Sequence, residues 1–340
     1  MKDYRDYLRI DQYLQDFMQT QLLKGAFDKG LIDTLAKAPS NLSNLQKATA
    51  TDGPGLQFLL SALIQSNVVK ESAEYFELTD AFIEALYYRD LLEAKIFFAN
   101  LLAPDLLEHI DTFLSDEGEF MQCSHLFELF DYHRALHSTP ENVRFTARWM
   151  KLTSTLTRYE AGACLAHHDF SAYQNIMDIG GNSGEFVLQI TDQYPQLQAT
   201  VIDLPVVCEV GTQHVSSHPQ ASRIHFIPGD ALVDRLPENQ CLVTFKSILH
   251  DWPVEACQRF IEQAHDSLKS NGELLIFERA PIPPFTTSPA YGSISTLLFF
   301  RSYRPADIYR NLLMSAGFSN IEIQTIDLET PFYLITARKA

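Results

Sequence analysis

The 340-residue chain is short of positive charge. Lys and Arg total 26 against 43 Asp and Glu, for a net charge of −17. The basic residues are scattered and form no patch, so the surface repels phosphate backbones and no nucleic-acid partner is expected. Cysteine is also scarce. Cys123, Cys164, Cys208, Cys241 and Cys257 are far apart, odd in number and without a C-x-x-C pair. That argues against a zinc framework or disulfide scaffold and for reduced usage inside the cell. No window approaches the ~18 uninterrupted apolar residues of a membrane span. The opening stretch MKDYRDYLRIDQYL carries charge in place of an apolar signal-peptide core. The expectation is a cytoplasmic protein with no membrane contact.

What is present describes two halves. Hydrophobic residues make up 46% and charged residues 20%, the composition of an ordinary globular protein. The length suits roughly two domains at ~100–200 residues each. In the first half Leu22, Leu23, Ala26, Phe27, Gly30, Leu31 and Leu35 recur at three- and four-residue spacing, one amphipathic helical face. Pro39-Ser40-Asn41 breaks it, with Asn41 or Ser43 as cap of the next helix. Asp52-Gly53-Pro54-Gly55 is a turn, GLQFLLSALIQSNVV another helix, and YFELT a short strand. Three helices and a small ribbon resemble a winged helix. Its would-be recognition helix has no Lys or Arg to grip phosphates or read guanine, so the reading is a dimerisation module. Helical rhythm continues to about His168, where His167-His168-Asp169 reads as a polar linker.

After Asp169 the rhythm changes. Short apolar runs (NIMDIG, ATVIDL, IHFIPG, CLVTFKSIL, ELLIFERA, IEIQTI, FYLITAR) alternate with helical stretches. That alternation predicts an α/β fold, a parallel doubly wound sheet with helices on both faces. The last two runs are joined by too few residues for a crossover helix and should pair antiparallel. The expected domains are residues 1–168 and 169–340.

The chemistry concentrates at the strand ends of the second half. In NIMDIGGNSGEF, Asp178 closes a strand, Gly180 and Gly181 permit a sharp turn close to a ligand, and Gly184 opens a helix with an electropositive N-terminus. The pattern is D-x-G-G-x-x-G and not G-x-G-x-x-G. The acid before the glycines would repel a pyrophosphate and suits an ammonium. Asp203, in VIDLP, ends the second strand at the place, roughly 20 residues past the glycines, where the dinucleotide fingerprint sets an acid on ribose hydroxyls. Asp230, in PGDAL, ends the third strand, where it can meet an adenine amino group. A ligand with a cationic amino group, a ribose and a base fits all three, as S-adenosylmethionine does. The fourth strand ends in FKSILHDWP, so His250 emerges from the sheet beside this edge with Asp251 and Trp252 after it. Glu278 ends the fifth strand, parallel to the fourth, where a carboxylate can fix the tautomer of His250 and stabilise its protonated form.

Taken in order, DIGGNSG, VIDLP, PGDAL, FKSILHDWP and LLIFERA resemble the S-adenosylmethionine-dependent O-methyltransferases of the two-domain type, which include plant caffeic acid enzymes and many bacterial secondary-metabolite enzymes. The resemblance covers nearly the whole chain. It implies a class I methyltransferase Rossmann-like sheet, parallel with one antiparallel strand, plus an N-terminal winged-helix-like domain for dimerisation and lidding of substrate. It implies a homodimer, S-adenosylmethionine as methyl donor and S-adenosylhomocysteine as product. Asp178, Gly180, Gly181, Asp203, Leu204, Asp230, Ala231, Lys246 and Ser154 would lie at the cofactor. His250 would be general base, with Glu278 orienting it. Trp149, Met150, Asp251, Phe299, Phe300 and Tyr303 would face the acceptor, a small aromatic or heteroaromatic hydroxyl compound such as a phenol, polyketide or hydroxy-bipyrrole. The sequence departs from the plant pattern at Tyr303, which stands in FFRSYRPADIY where those enzymes carry a second glutamate. Arg301 and Arg304, close by, would recognise an acceptor carboxylate or simply be solvated. Two other readings stay open: C-methylation next to a carbonyl, and a relative that binds the cofactor without transfer. His133 and His137, four apart with Asp131 near, have the spacing of zinc ligands. No third ligand follows at proper spacing, so no metal is expected.

Overall fold

The structure is a computed structural model and describes residues 3–14, 17–130, 132–285 and 289–340. Asp131, one member of the zinc reading, lies outside the described residues. The chain divides into two compact units: Met1–Pro104 with Phe285–Leu298, and Asp105–Pro284 with Phe299–Ala340.

The first unit opens with helices α1 (Phe17–Asp28) and α2 (Leu31–Lys37). The apolar stripe expected as one helix is split because Gly30 takes a left-handed φ of 69°. Leu23, Ala26, Leu31 and Leu35 stay buried, so the stripe keeps its packing role across the break. Strand β1 (Ser40–Asn41) leads into α3 (Leu42–Thr49), capped by the Asn41 side chain on the Asn44 amide at 3.0 Å. Helix α4 (Gly53–Gln65) is capped in the same way by Asp52, with Pro54 in its first turn. Strands β2 (Val69–Ser72) and β3 (Tyr75–Leu78) complete an antiparallel sheet in the order β1-β3-β2. Helix α5 (Arg89–Ser115) follows, and the division between units falls inside it at Pro104.

In the second unit, α6 (Pro140–His167) starts at Thr139, whose hydroxyl caps the Asn142 amide. The remaining elements alternate as expected: β4 (Asn175–Ile179), α7 (Glu185–Gln193), β5 (Gln198–Asp203), α8 (Pro205–Val215), β6 (Ile224–Pro228), β7 (Gln240–Lys246), α9 (Val254–Ser267), β8 (Leu268–Arg279), α10 (Ala306–Ser315), β9 (Phe318–Asp327) and β10 (Pro331–Lys339). They form one seven-stranded sheet in the order β6-β5-β4-β7-β8-β10-β9. Neighbours among β4 to β8 are parallel, and β10 runs antiparallel to both β8 and β9. This is the parallel sheet with one antiparallel strand. The chain enters this sheet at β4, winds outward through β5 and β6, then returns to β7 on the other side. The order therefore reverses between β4 and β7, where open α/β sheets bind ligands at the strands' carboxyl ends.

Met177, Val243, Phe245, Leu274, Ile276 and Ile335 of the sheet are buried with Cys257, Phe260, Ile261, Tyr309 and Leu313 of α9 and α10. The rhythm of the sequence changes at Asp169, yet packing groups α6 with the sheet, because α6 lies against α7 and α8. A change of element type and a change of packing partner need not coincide. The run CLVTFKSIL ends as a strand at Lys246, since Ser247 takes a left-handed φ of 51° and Leu249–Asp251 coil into a 3-10 turn. Among the described residues no helix is long and apolar enough to cross a membrane.

Candidate active site

The glycine turn lies directly after β4. Gly180 has a φ of 68°, and a Cβ there would stand 2.7 Å from Ile248 Cγ1. At Gly181 a Cβ would stand 2.6 Å from Asp178 Oδ2 and 2.9 Å from Val201 Cγ1. Both positions need glycine for space, and Gly180 needs it for dihedral freedom as well. Asp178 is fully buried. Its Oδ1 accepts from Thr244 Oγ1 at 2.6 Å, across the β4–β7 register pair of these two residues. Its Oδ2 has no hydrogen-bond partner. Burial pushes the carboxyl up to about 7, and the like charge of Asp203 adds to this against the Thr244 bond.

Asp203 closes β5. Its Oδ2 accepts from the Asn182 amide and its Oδ1 from the Leu204 amide, each at 2.8 Å, and burial still pushes it up to about 6. Asp230 lies two residues beyond β6 and accepts from the Leu232 amide at 2.9 Å. Ala231 is buried in the sheet's core. The three acids thus stand at the ends of three adjacent strands, β4, β5 and β6, with Asp230 just past its strand.

His250 is 7% exposed and sits in the turn after β7. Its Nδ1 is 2.7 Å from Glu278 Oε1. Glu278 is fully buried and also accepts from the amides of Leu249 (3.0 Å) and Arg279 (3.0 Å). Asp251 Oδ1 stands 3.3 Å from His250 Nε2, while Asp251 Oδ2 accepts from the Tyr132 hydroxyl at 3.0 Å. Burial alone would lower the imidazole's pKa, but Glu278 and then Asp251 outweigh it and hold it above the ordinary histidine value. Burial likewise works against the Glu278 charge, and His250 with the backbone donors holds the carboxyl below its usual range.

An aromatic wall stands beside the imidazole. Phe299 and Tyr303 pack edge-on to it, with ring centres 5.9 and 5.4 Å away. The wall continues from Phe299 to Phe127 (6.0 Å), and Phe113 meets both Phe300 (5.6 Å) and Phe120 (5.2 Å). The two arginines of this segment go elsewhere than expected. Arg301 donates to the carbonyls of Phe113 and Leu114 near the end of α5. Arg304 donates to the carbonyls of Leu249 and Trp252.

The family model described as an O-methyltransferase domain matches residues 113–319. The chain belongs to this O-methyltransferase family. Acetylserotonin O-methyltransferase of Bos taurus is 25% identical over 337 residues, 93% of each chain. A 3-hydroxy-5-methyl-1-naphthoate 3-O-methyltransferase of Streptomyces sahachiroi is 30% identical over 183 residues, 52% of this chain and 51% of that one. Human N-acetylserotonin methyltransferase, solved with S-adenosylmethionine, shares the fold with a TM-score of 0.74 at 19% identity, over 95% of this chain and 94% of that one. The enzyme is an S-adenosylmethionine-dependent O-methyltransferase.

Several residues of the methyltransferase escape a reading of its sequence. Lys246 does not reach outward. Its buried Nζ is 3.0 Å from Thr157 Oγ1 and paired with Glu160, which also pairs with Arg279. Burial opposes the Glu160 charge, but Arg279 and Lys246 hold its carboxyl below the usual range. Ser154 Oγ bonds back to the Met150 carbonyl at 2.6 Å within α6. Met150 packs with Leu204, Val206 and Val207, so two candidate residues distant in sequence share one cluster. Trp149, next to Met150 on α6, is half-buried. The linker histidines are engaged as well: His167 Nδ1 lies 2.8 Å from the Ala163 carbonyl, and His168 stacks on Tyr173. His133 lies in a short helix, Tyr132–Ala135, and His137 beyond it.

Proposed function

We propose that the enzyme methylates a hydroxyl of a small aromatic or heteroaromatic secondary metabolite, with His250 as general base. One observation carries this reading: a buried imidazole whose Nδ1 is 2.7 Å from a buried carboxylate, at the carboxyl edge of the sheet. S-adenosylmethionine supplies, when bound, a methyl group on a positively charged sulfur. The residues present fit it. Asp178 keeps a buried carboxylate oxygen without a partner, and the glycine turn leaves no room for a Cβ. Asp178, Gly180, Gly181, Asp203, Leu204, Asp230 and Ala231 would hold it, with Asp203 toward ribose hydroxyls and Asp230 toward the base. Lys246 and Ser154 would act from behind, bracing α6 against the strand ends.

Glu278 holds His250 at Nδ1, which leaves Nε2, 3.3 Å from Asp251 Oδ1, to take the acceptor's hydroxyl proton. Such a base contributes ~10²–10⁴-fold, and alignment of the reactants ~7–11 kcal/mol. Phe299, Phe300 and Tyr303 offer flat apolar surface to a ring, and Trp149, Met150 and Asp251 complete the acceptor set. Tyr303 adds no negative charge at the place of the plant enzymes' glutamate, which favours an acceptor that is itself acidic, such as a phenol. Two relatives, an acetylserotonin and a hydroxynaphthoate O-methyltransferase, are named for aromatic acceptors, which supports an aromatic acceptor here.

The N-terminal helical half, residues 1–168, would dimerise and lid the substrate as a winged-helix-like domain, and residues 169–340 would catalyse. Phe58, Tyr87 and Phe97, all more than 40% exposed, are apolar surface that a homodimer would cover. The protein would work in the cytoplasm without a metal. The test is a screen of phenols, hydroxylated heteroaromatics and β-dicarbonyls with labelled donor, followed by product mass, with and without chelator. O-methyl products insensitive to chelator support the reading. Carbon-methylated products or chelator-sensitive turnover overturn it, and light scattering reads the dimer.

A further inference from the structure

We propose that Arg304 is a positioning residue whose guanidinium bridges the carbonyls of Leu249 and Trp252 and so fixes the turn that presents His250. The inference rests on the reading of His250 as the base and adds what holds that base still. The 3-10 turn Leu249–Asp251 is gripped from two sides. On the amide side, Leu249 N and His250 N point to Glu278 Oε2 at 3.0 and 3.4 Å. On the carbonyl side, Arg304 Nη1 reaches Leu249 O at 2.6 Å and Nη2 reaches Trp252 O. The Cys257 thiol adds a bond to Leu249 O at 3.1 Å.

A planar guanidinium fork can bond two carbonyls at once, whereas an ammonium is a point charge and holds them less firmly. The cation also meets the negative end of the short turn. Arg304 is itself anchored, because Pro305 caps α10 and the preceding residue, Tyr303, is buried against the imidazole. Neither of the two readings made from the sequence, an acceptor's carboxylate or solvent, describes this geometry.

The test is the titration of His250 in the full-length protein, followed through the Cε1–Hε1 signal of labelled histidine and assigned with a His250→Gln control. The charged groups facing the imidazole are Glu278 at Nδ1, Asp251 at Nε2 and Arg279 on β8. Removing a neighbouring cation by charge alone raises a histidine's pKa. Loosening the turn withdraws the imidazole from Glu278 and lowers it. Arg304→Met should therefore lower the midpoint by about one pH unit, with Arg304→Lys lying between it and the wild type. An unchanged or raised midpoint in Arg304→Met overturns the proposal. Should that variant fail to fold by circular dichroism, Arg304→Lys decides alone, and no downward shift overturns it. In turnover, His250→Ala with Arg304→Met should be no slower than His250→Ala alone, and multiplying losses overturn the positioning role. Failure of the base itself reads separately, as His250→Ala retaining turnover.

Discussion

Glu278 and Asp178 are both fully buried carboxylates on the same sheet, one on β8 and one on β4, and the chain answers them in opposite ways. Glu278 receives an imidazole and backbone amides, and its charge is held in place. Asp178 receives one hydroxyl, keeps an oxygen without a partner and is pushed up to about 7. A buried charge persists only where it is paired and hydrogen-bonded. The first corner is therefore finished before any ligand arrives. The second would be completed by one, and on the reading proposed above the donor's cationic group is what would complete it.

The largest effect should come from the finished corner. His250→Ala should cut turnover ~10²–10⁴-fold while calorimetry finds donor affinity near wild type. Unchanged turnover at neutral pH would remove the base from the mechanism. Next comes the unfinished corner. Losing a charge-assisted contact worth ~1.5–3 kcal/mol, Asp178→Asn should weaken donor binding ~10–100-fold. Binding of a cation draws the carboxyl toward its ionised form, so wild-type affinity should climb as pH rises toward about 7 and level off above it. A pH slope that persists in Asp178→Asn would show that another group supplies the charge.

Glu278→Gln should cost less, about tenfold in turnover, because it withdraws support from His250 without removing it. The base must be neutral to take a proton, so turnover should rise with pH through a midpoint above the ordinary histidine value of about 6.5. That limb should move to lower pH in Glu278→Gln, and a fixed limb would uncouple the two residues. The last effect is on stability. Asp178's folded pKa is raised, so its contribution is fully present below the unfolded value of about 3.9 and is lost as pH rises to about 7, at up to ~1.4 kcal/mol per unit. Thermal unfolding of the ligand-free enzyme should show Asp178→Asn with a flatter dependence over that range.

What the sequence reveals depends on whether a residue's partner is a neighbouring strand. His250 and Glu278 are legible because β7 and β8 are adjacent and parallel, so their ends meet. The seven strands are legible for the same reason, each being a short apolar run between turn signals. Thr244 reads as one more residue of an apolar run, though its hydroxyl bonds Asp178 across the register. Glu160, in a helix, resembles any solvated glutamate until Lys246 and Arg279 are seen to converge on it. Arg301 and Arg304 were opaque because their partners are carbonyls, which every residue carries and no spacing reveals. Gly30 marks the opposite case, a periodic stripe that survives while the helix beneath it breaks.

The placement of β10 has a consequence for biosynthesis. It follows β9 in the chain yet lies between β8 and β9, bonded along β8 from Glu273 to Arg279. While the ribosome is still making β9, the strand that carries Glu278 has an open edge and no partner on that side. The His250 corner is thus sealed only once β10 has been made, and a nascent chain stalled before Pro331 would expose an unpaired apolar strand, the kind of edge that invites aggregation.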